Sequence, residues 1–504
     1  MTRRKAILLI ILIAAALLRF RSLGAKSLWL DEIISTRRVR GSFGEMIEEV
    51  AQHDGHPPLY YILQHGAKAL GGGEAAARVP SALAGILLVY VVYRIARKML
   101  GEPAGLAAAG LCAVSAFQVY FSQEARPYSL AMLLAATSFW LFLRLLDHAP
   151  DHSPEAVEGD SGETSSRKSV PGILCWVSYT AVAVAMLYTY YYLLFALLAE
   201  GIALALYRRR AKPVIKQWLL SRAVAAVLFA PYVPVILSRM AGAPAAPAQS
   251  RWDVLASMPP ALVRMLTGID LAWLQSSAAL TIVIYAIALV PVAAGLILLR
   301  KDRPALAAAL SYVLIPVVCV VALPWRLQIF EAKHLAFVSP MLLILGTYAA
   351  ARLWCRPPAW AGVGLLVVLN AFALYGYFDP AFQKEQWPAA CAVVAENARP
   401  GDAIAYNPRY LGYAFTHYYK GQKLAVVQDA AGLSGKAQFR RLWLVEARNS
   451  NVAIPDRRFT EMIRRTLRSA TFRYRDGDIW YAGLTGYKGE LIVTLHTPAR
   501  PARR

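Results

Sequence analysis

The chain has 504 residues, 58% of them hydrophobic, and a formal net charge of +23. Long apolar runs divided by short charged breaks recur through residue 378. This excludes a soluble enzyme and points to a polytopic α-helical membrane protein, because helices of this length satisfy their own backbone in lipid. The basic residues cluster beside those runs (3–5, 94–98, 208–210, 300–303, 352–356), so the charge speaks of topology rather than nucleic acid.

The first apolar segment, 6–23, has a basic start and no convincing small-residue cleavage site, and reads as an uncleaved signal anchor. Further spans are expected at 77–98, 104–121, 128–146, 172–188, 190–207, 216–238, 278–300, 304–324, 333–354 and 359–378, about eleven in all. The run 57–70 is the awkward case: at about 1.5 Å per residue it covers about 21 Å, short of the roughly 30 Å hydrocarbon core. If it crossed, most basic clusters would lie outside; as an interfacial helix, with a second at 42–52, it leaves every cluster in the cytoplasm. The N-terminus is then cytoplasmic and the C-terminus extracytoplasmic, as expected for a multi-pass protein of a bacterial inner membrane.

Residues 1–378 form the expected transmembrane domain, interrupted by a flexible cytoplasmic linker at 147–171, rich in Asp, Glu, Ser and Gly. From 379 to 504 the pattern changes to short strand-like runs (403–406, 423–427, 442–446, 479–482) and helix-like ones (388–398, 458–468). These predict a small C-terminal extracytoplasmic α/β domain. The five cysteines include no CxxC pair, which argues against a disulfide framework.

This topology gathers the unusual polar residues outside. Asp31 and Glu32 follow the first span, where Asp31 could be a general base, a metal ligand with Glu32 and a histidine, or a cap for the next helix. His56-Pro57-Pro58 fixes a turn, and His56 suits a phosphate, a metal or a plain helix start. The spacing of His53, Asp54 and His56 is no standard zinc pattern; no cofactor is called for, and a divalent ion stays open. Glu124 and Arg126 are a boundary ion pair or site residues, and Tyr128 follows them. Arg78, Arg326, Lys333 and His334 are outer-side cations that the positive-inside rule does not explain; together they suit a phosphate or pyrophosphate.

The order of these motifs resembles the C-type glycosyltransferases of the protein O-mannosyltransferase superfamily, which includes aminoarabinose lipid A transferases and galacturonosyl transferases of lipopolysaccharide core. The resemblance rests on Ser27-Leu28-Trp29-Leu30-Asp31-Glu32, on His56-Pro57-Pro58-Leu59-Tyr60-Tyr61 and on Ala77-Arg78-Val79-Pro80-Ser81. Tyr120-Phe121-Ser122-Gln123-Glu124-Ala125-Arg126-Pro127-Tyr128 continues it. Lys333-His334-Leu335 and Gln386-Trp387-Pro388 extend it, although His334 stands where an aromatic is more usual.

The resemblance implies a membrane glycosyltransferase using a polyprenyl-phosphate sugar donor and a hydroxyl acceptor on a lipid, surface glycan or protein. It implies Asp31 as base, with Glu32, Glu124 and Arg126 shaping the site. A lipid or sugar transporter, or a non-catalytic scaffold, are the competing classes; the spans carry almost no acid at mid-depth and show no repeated halves, which disfavours transport.

Overall fold

The computed structural model describes residues 2–147, 172–206, 208–242, 250–269, 277–323, 330–353, 357–379, 384–427, 440–448, 467–475 and 490–498. In chain order the helices are α1 (Arg3–Phe20), α2 (Leu30–Arg38), α3 (Phe43–His53), α4 (Leu59–Ala67), α5 (Glu74–Leu100), α6 (Glu102–Val114), α7 (Ala116–Ser122), α8 (Tyr128–Asp147), α9 (Ile173–Leu187), α10 (Leu193–Leu206), α11 (Arg208–Phe229), α12 (Val233–Gly242), α13 (Arg251–Thr267), α14 (Ala278–Leu299), α15 (Arg303–Ala322), α16 (Ser339–Arg352) and α17 (Pro357–Tyr377). Then come α18 (Trp387–Asn397), β1 (Asp402–Asn407), α19 (Leu411–Tyr418), β2 (Ala425–Val427), β3 (Arg441–Arg448), β4 (Leu467–Arg475) and β5 (Glu490–Pro498).

Among the described residues seven helices are long and apolar enough to cross a membrane, or eight if the bent pair α6–α7 is one span. Eleven were expected. The shortfall has a physical cause: α9 and α10 are apolar but only 15 and 14 residues long, and α1 carries four basic residues. The run 57–70 forms α4, nine residues, and a short 3-10 turn, too short to cross; α3 begins with a Ser42–Glu45 capping box.

The 59° break between α6 and α7 has identifiable partners rather than a proline. Arg19, fully buried on α1, donates to the carbonyls of Cys112 at 3.2 Å and Ala113 at 3.1 Å, which the break frees. Asn370 on α17 accepts the Ala116 N–H at 2.8 Å. Gln123, just beyond α7, donates to the carbonyls of Leu18, Arg19 and Arg21 and so caps α1. Two spans and a loop are thereby tied where the polar motifs emerge.

The C-terminal sheet has the order β2-β1-β3-β5-β4, with β1 parallel to both neighbours and β5 antiparallel to β3 and β4. Its core is not self-contained. Leu28, Leu30 and Ile33 pack with Trp387, Val394, Leu411, Phe415, Trp443 and Val493, so the inner face of α2 belongs to it. The strand expected at 479–482 lies outside the described residues. So does most of the helix expected at 458–468; its last two residues instead open β4.

Candidate active site

Asp31 and Glu32 both sit in the first turn of α2, about 100° apart around its axis. That angle sends them to different surroundings. Asp31 keeps a side chain 29% exposed, with its carboxylate 3.7 Å from Arg126 Nη2. Glu32 is sealed: Arg78 Nε and Nη2 each donate to it at 2.8 Å, the Ala125 N–H at 2.7 Å, and Lys384 Nζ at 3.3 Å. Burial alone would raise the Glu32 carboxyl, but the Arg78 and Lys384 charges and those hydrogen bonds hold it well below the usual range.

Arg78 does not do what its position suggested. Its remaining three N–H groups go to the carbonyls of Leu23, Lys26 and Ser27. A guanidinium has five donors, and all five are used, so no donor is left for a phosphate. This corrects its assignment as a substrate contact. Arg78 is the partner that lets Glu32 be buried.

Arg126 is better placed. Its Nη1 donates to Ser35 Oγ at 2.9 Å, Nη2 faces Asp31 and lies 3.4 Å from His56 Nδ1, and Nε is buried without a hydrogen-bond partner. Its backbone is held because Ser81 Oγ donates to the Arg126 carbonyl at 3.1 Å, and Tyr60 pairs with Ser81 at 2.9 Å.

His56 Nδ1 is 3.0 Å from Asp54 Oδ1; that contact is shorter than the one to Arg126, which makes Nδ1 the donor to Asp54. Asp54 also pairs with Arg38. Burial and the Arg126 charge push the His56 ring well below the usual histidine range, against the pull of Asp31, so it is neutral at pH 7. His53 is turned away and pairs with Glu49 at 3.2 Å; among the described residues no three His, Cys, Asp or Glu side chains converge as metal ligands.

Four rings form a ladder across the site: His56 on Tyr190 at 5.5 Å, Tyr190 on Tyr192 at 5.3 Å, and Tyr192 on His334 at 4.8 Å. Tyr128 stands edge-on to both His56 and Tyr190. Lys333 pairs with Glu331 at 2.9 Å and lies over the Trp29 ring at 5.7 Å, and its charge reaches His56 and Glu124. His334 thus stands at the far end of the ladder, while Lys333 turns back toward α2. Arg326 lies outside the described residues.

Glu124 is buried, and neither carboxylate oxygen has a hydrogen-bond partner; Lys384 Nζ at 3.7 Å is its counter-ion. Burial raises the Glu124 carboxyl, Lys384 opposes this, and Glu32 adds to the rise. Lys384 was missed in the sequence. It belongs to no recognisable motif, lies beyond the last span, and reaches the site only through the tertiary fold.

Residues 55–152 match the family described as dolichyl-phosphate-mannose-protein mannosyltransferase. The whole chain superposes on ArnT from Cupriavidus metallidurans in the apo state with a TM-score of 0.56, at 15% identity, covering 98% of each chain. The fold is that of the C-type membrane glycosyltransferases. The same ArnT bound to undecaprenyl phosphate gives 0.53 at 15% identity, over 96% of this chain and 97% of that one. A third solved structure with this C-type fold is the oligosaccharyltransferase AglB from Archaeoglobus fulgidus, in complex with an inhibitory peptide and a dolichol-phosphate. It gives 0.50 at 12% identity, over 88% of this chain and 69% of that one. No curated protein matches the sequence.

Proposed function

We propose that the protein transfers a sugar from a polyprenyl-phosphate donor to a hydroxyl of a lipid, surface glycan or protein at the outer face of a bacterial inner membrane. The observation that carries this reading is the division of labour on α2: Glu32 is consumed by structure, whereas Asp31 remains partly open and faces Arg126. The matched mannosyltransferase family, and the ArnT and AglB structures with their polyprenyl lipids, support the same donor chemistry.

In the reaction Asp31 accepts the acceptor's hydroxyl proton while that oxygen bonds to the anomeric carbon. The bond from that carbon to the phosphate oxygen breaks, and the polyprenyl phosphate leaves with the electron pair. A single displacement of this kind inverts the anomeric centre. Arg126, with a spare Nε donor, and Lys333 stabilise the charge growing on the departing phosphate. Neutral His56 and the ring ladder give the sugar an apolar face to lie against.

The test is Asp31→Asn in purified protein supplied with polyprenyl-phosphate sugars. Transfer should fall by roughly 10²–10⁴-fold while binding of undecaprenyl phosphate persists. Transfer by the variant at the wild-type rate would remove Asp31 as base.

A further inference from the structure

Lys384 opens the described stretch 384–427 that leads into α18 and the C-terminal sheet, and its Nζ is completely buried. It meets oxygens from three places: Glu32 on α2 at 3.3 Å, Glu124 at 3.7 Å and the Gln123 carbonyl at 3.0 Å, with the Tyr120 ring 5.2 Å away. A buried ammonium is expensive unless it is paired and hydrogen-bonded; here two carboxylates and a carbonyl offset part of that cost, and burial still holds the ammonium below the usual lysine range. The next residue grips the same helix. Glu385 Oε2 accepts the Leu30 N–H at 3.0 Å and the Trp387 indole N–H, and its carbonyl accepts Ser27 Oγ at 2.5 Å.

Two consecutive residues therefore hold α2 at its N-terminus and on its buried face. They are not equivalent to Arg78. Arg78 fixes Glu32 from α5, inside the helical bundle, whereas Lys384 and Glu385 fix it from the segment that leads into the C-terminal sheet. Because Asp31 and Glu32 are neighbours on one helical turn, fixing Glu32 fixes the rotation of α2 and hence the aim of Asp31.

We propose that Lys384 is a positioning residue for sugar transfer: paired with Glu32 and Glu124, it holds α2 in the rotation that aims Asp31 at the acceptor. The Asp31 half of this rests on the sugar-transfer reading above; the hold on α2 does not. Four groups act on Glu124: Lys384, the Tyr120 hydroxyl and Lys333 favour its anion, and Glu32 disfavours it. Lys384 is the cation in contact with it.

The experiment compares wild type, Lys384→Met and Lys384→Arg in one transfer assay, with Asp31→Asn as reference. In Lys384→Met, Glu32 keeps Arg78 and the Ala125 N–H but Glu124 loses its counter-ion, so Lys384→Arg, which keeps the charge, is read beside it to separate positioning from unfolding. Misplacing a catalytic group by a fraction of an ångström costs on the order of 10–100-fold in kcat, and KM for the donor should change by less than about 3-fold. The loss of kcat should be largely reversed in Lys384→Arg. Amide hydrogen exchange over residues 28–38 should quicken in Lys384→Met.

Wild-type kcat in Lys384→Met would overturn the proposal. So would equal loss of kcat and donor binding in Met and Arg variants, which marks simple unfolding. If wild type transfers no sugar, the sugar-transfer reading falls by itself. The hold on α2 is then judged by exchange alone, and unchanged exchange over 28–38 overturns it.

Discussion

A carboxylate without solvent is tolerable only when donors replace water, and Glu32 has five: Arg78 Nε and Nη2, Lys384 Nζ, and the N–H groups of Ala125 and, at 3.4 Å, Trp29. Removing one partner of such a pair leaves the other buried and uncompensated, so Glu32→Gln should cost roughly 3–5 kcal/mol and lower the thermal unfolding midpoint in detergent. A midpoint equal to wild type would mean the pair contributes nothing net. The same geometry sets a pH dependence. Glu32 is depressed in the fold from an ordinary 4.5 to about 2, so its stabilising contribution is complete above pH about 4.5 and is lost as the pH falls through the folded value. Wild type should therefore lose stability in acid more steeply than Glu32→Gln. Sequence could show that one of two adjacent carboxylates must face inward, because a helix turns about 100° per residue. It could not show that Arg78 would be its partner: the positive-inside rule reports which side a cation lies on and says nothing of what it touches. Lys384 was illegible for the same reason, since its contacts lie more than 250 residues away in the chain.

At the scale of elements, the site depends on helices that approach closely. α14 and α16 meet at Gly295, where an added Cβ would stand 2.2 Å from the Leu345 carbonyl oxygen. Backbone cannot yield as a side-chain tip can, so Gly295→Ala must push the helices apart, at a cost of about 1–3 kcal/mol. α16 continues directly from the 3-10 turn Ala332–Val338 that carries Lys333 and His334, so the displacement reaches the ring ladder as well. The expected outcome is a lower unfolding midpoint together with weaker undecaprenyl phosphate binding; a neutral midpoint would show that the α14–α16 contact is soft. Element positions were largely legible, because long apolar runs and bordering charges mark them directly. The interfacial reading of 57–70 followed from length and charge together. The break at Ser115 was not legible. It carries no Pro or Gly; the local Ser115 Oγ accepts the Gln118 N–H at 3.4 Å, but the other freed backbone groups are met by Arg19 and Asn370, distant in sequence.

At the scale of the molecule, the membrane part and the C-terminal sheet share a core through α2. Leu28, Leu30 and Ile33 are buried against Trp387, Phe415 and Trp443, and the Leu28 N–H donates to Tyr418 Oη at 2.7 Å. At about 1.5–3 kcal/mol for each large apolar side chain, these three contribute roughly 5–9 kcal/mol, as much as the whole stability of many domains. The short strands predicted a separate α/β unit but could not reveal this debt to residues 28–33, because alternation of apolar residues marks a buried face without naming what covers it. Residues 384–504 expressed alone should then lack a cooperative unfolding transition and a dispersed amide spectrum. Covalent fusion to residues 26–38 should restore both in part. A cooperatively folded isolated 384–504 segment would show that the sheet needs no help from α2. In the full chain, a dependence of this size means that the docked C-terminal unit holds α2 together with Arg78 and Arg126 of the bundle, so that whatever loosens the sheet also loosens the turn that carries Asp31.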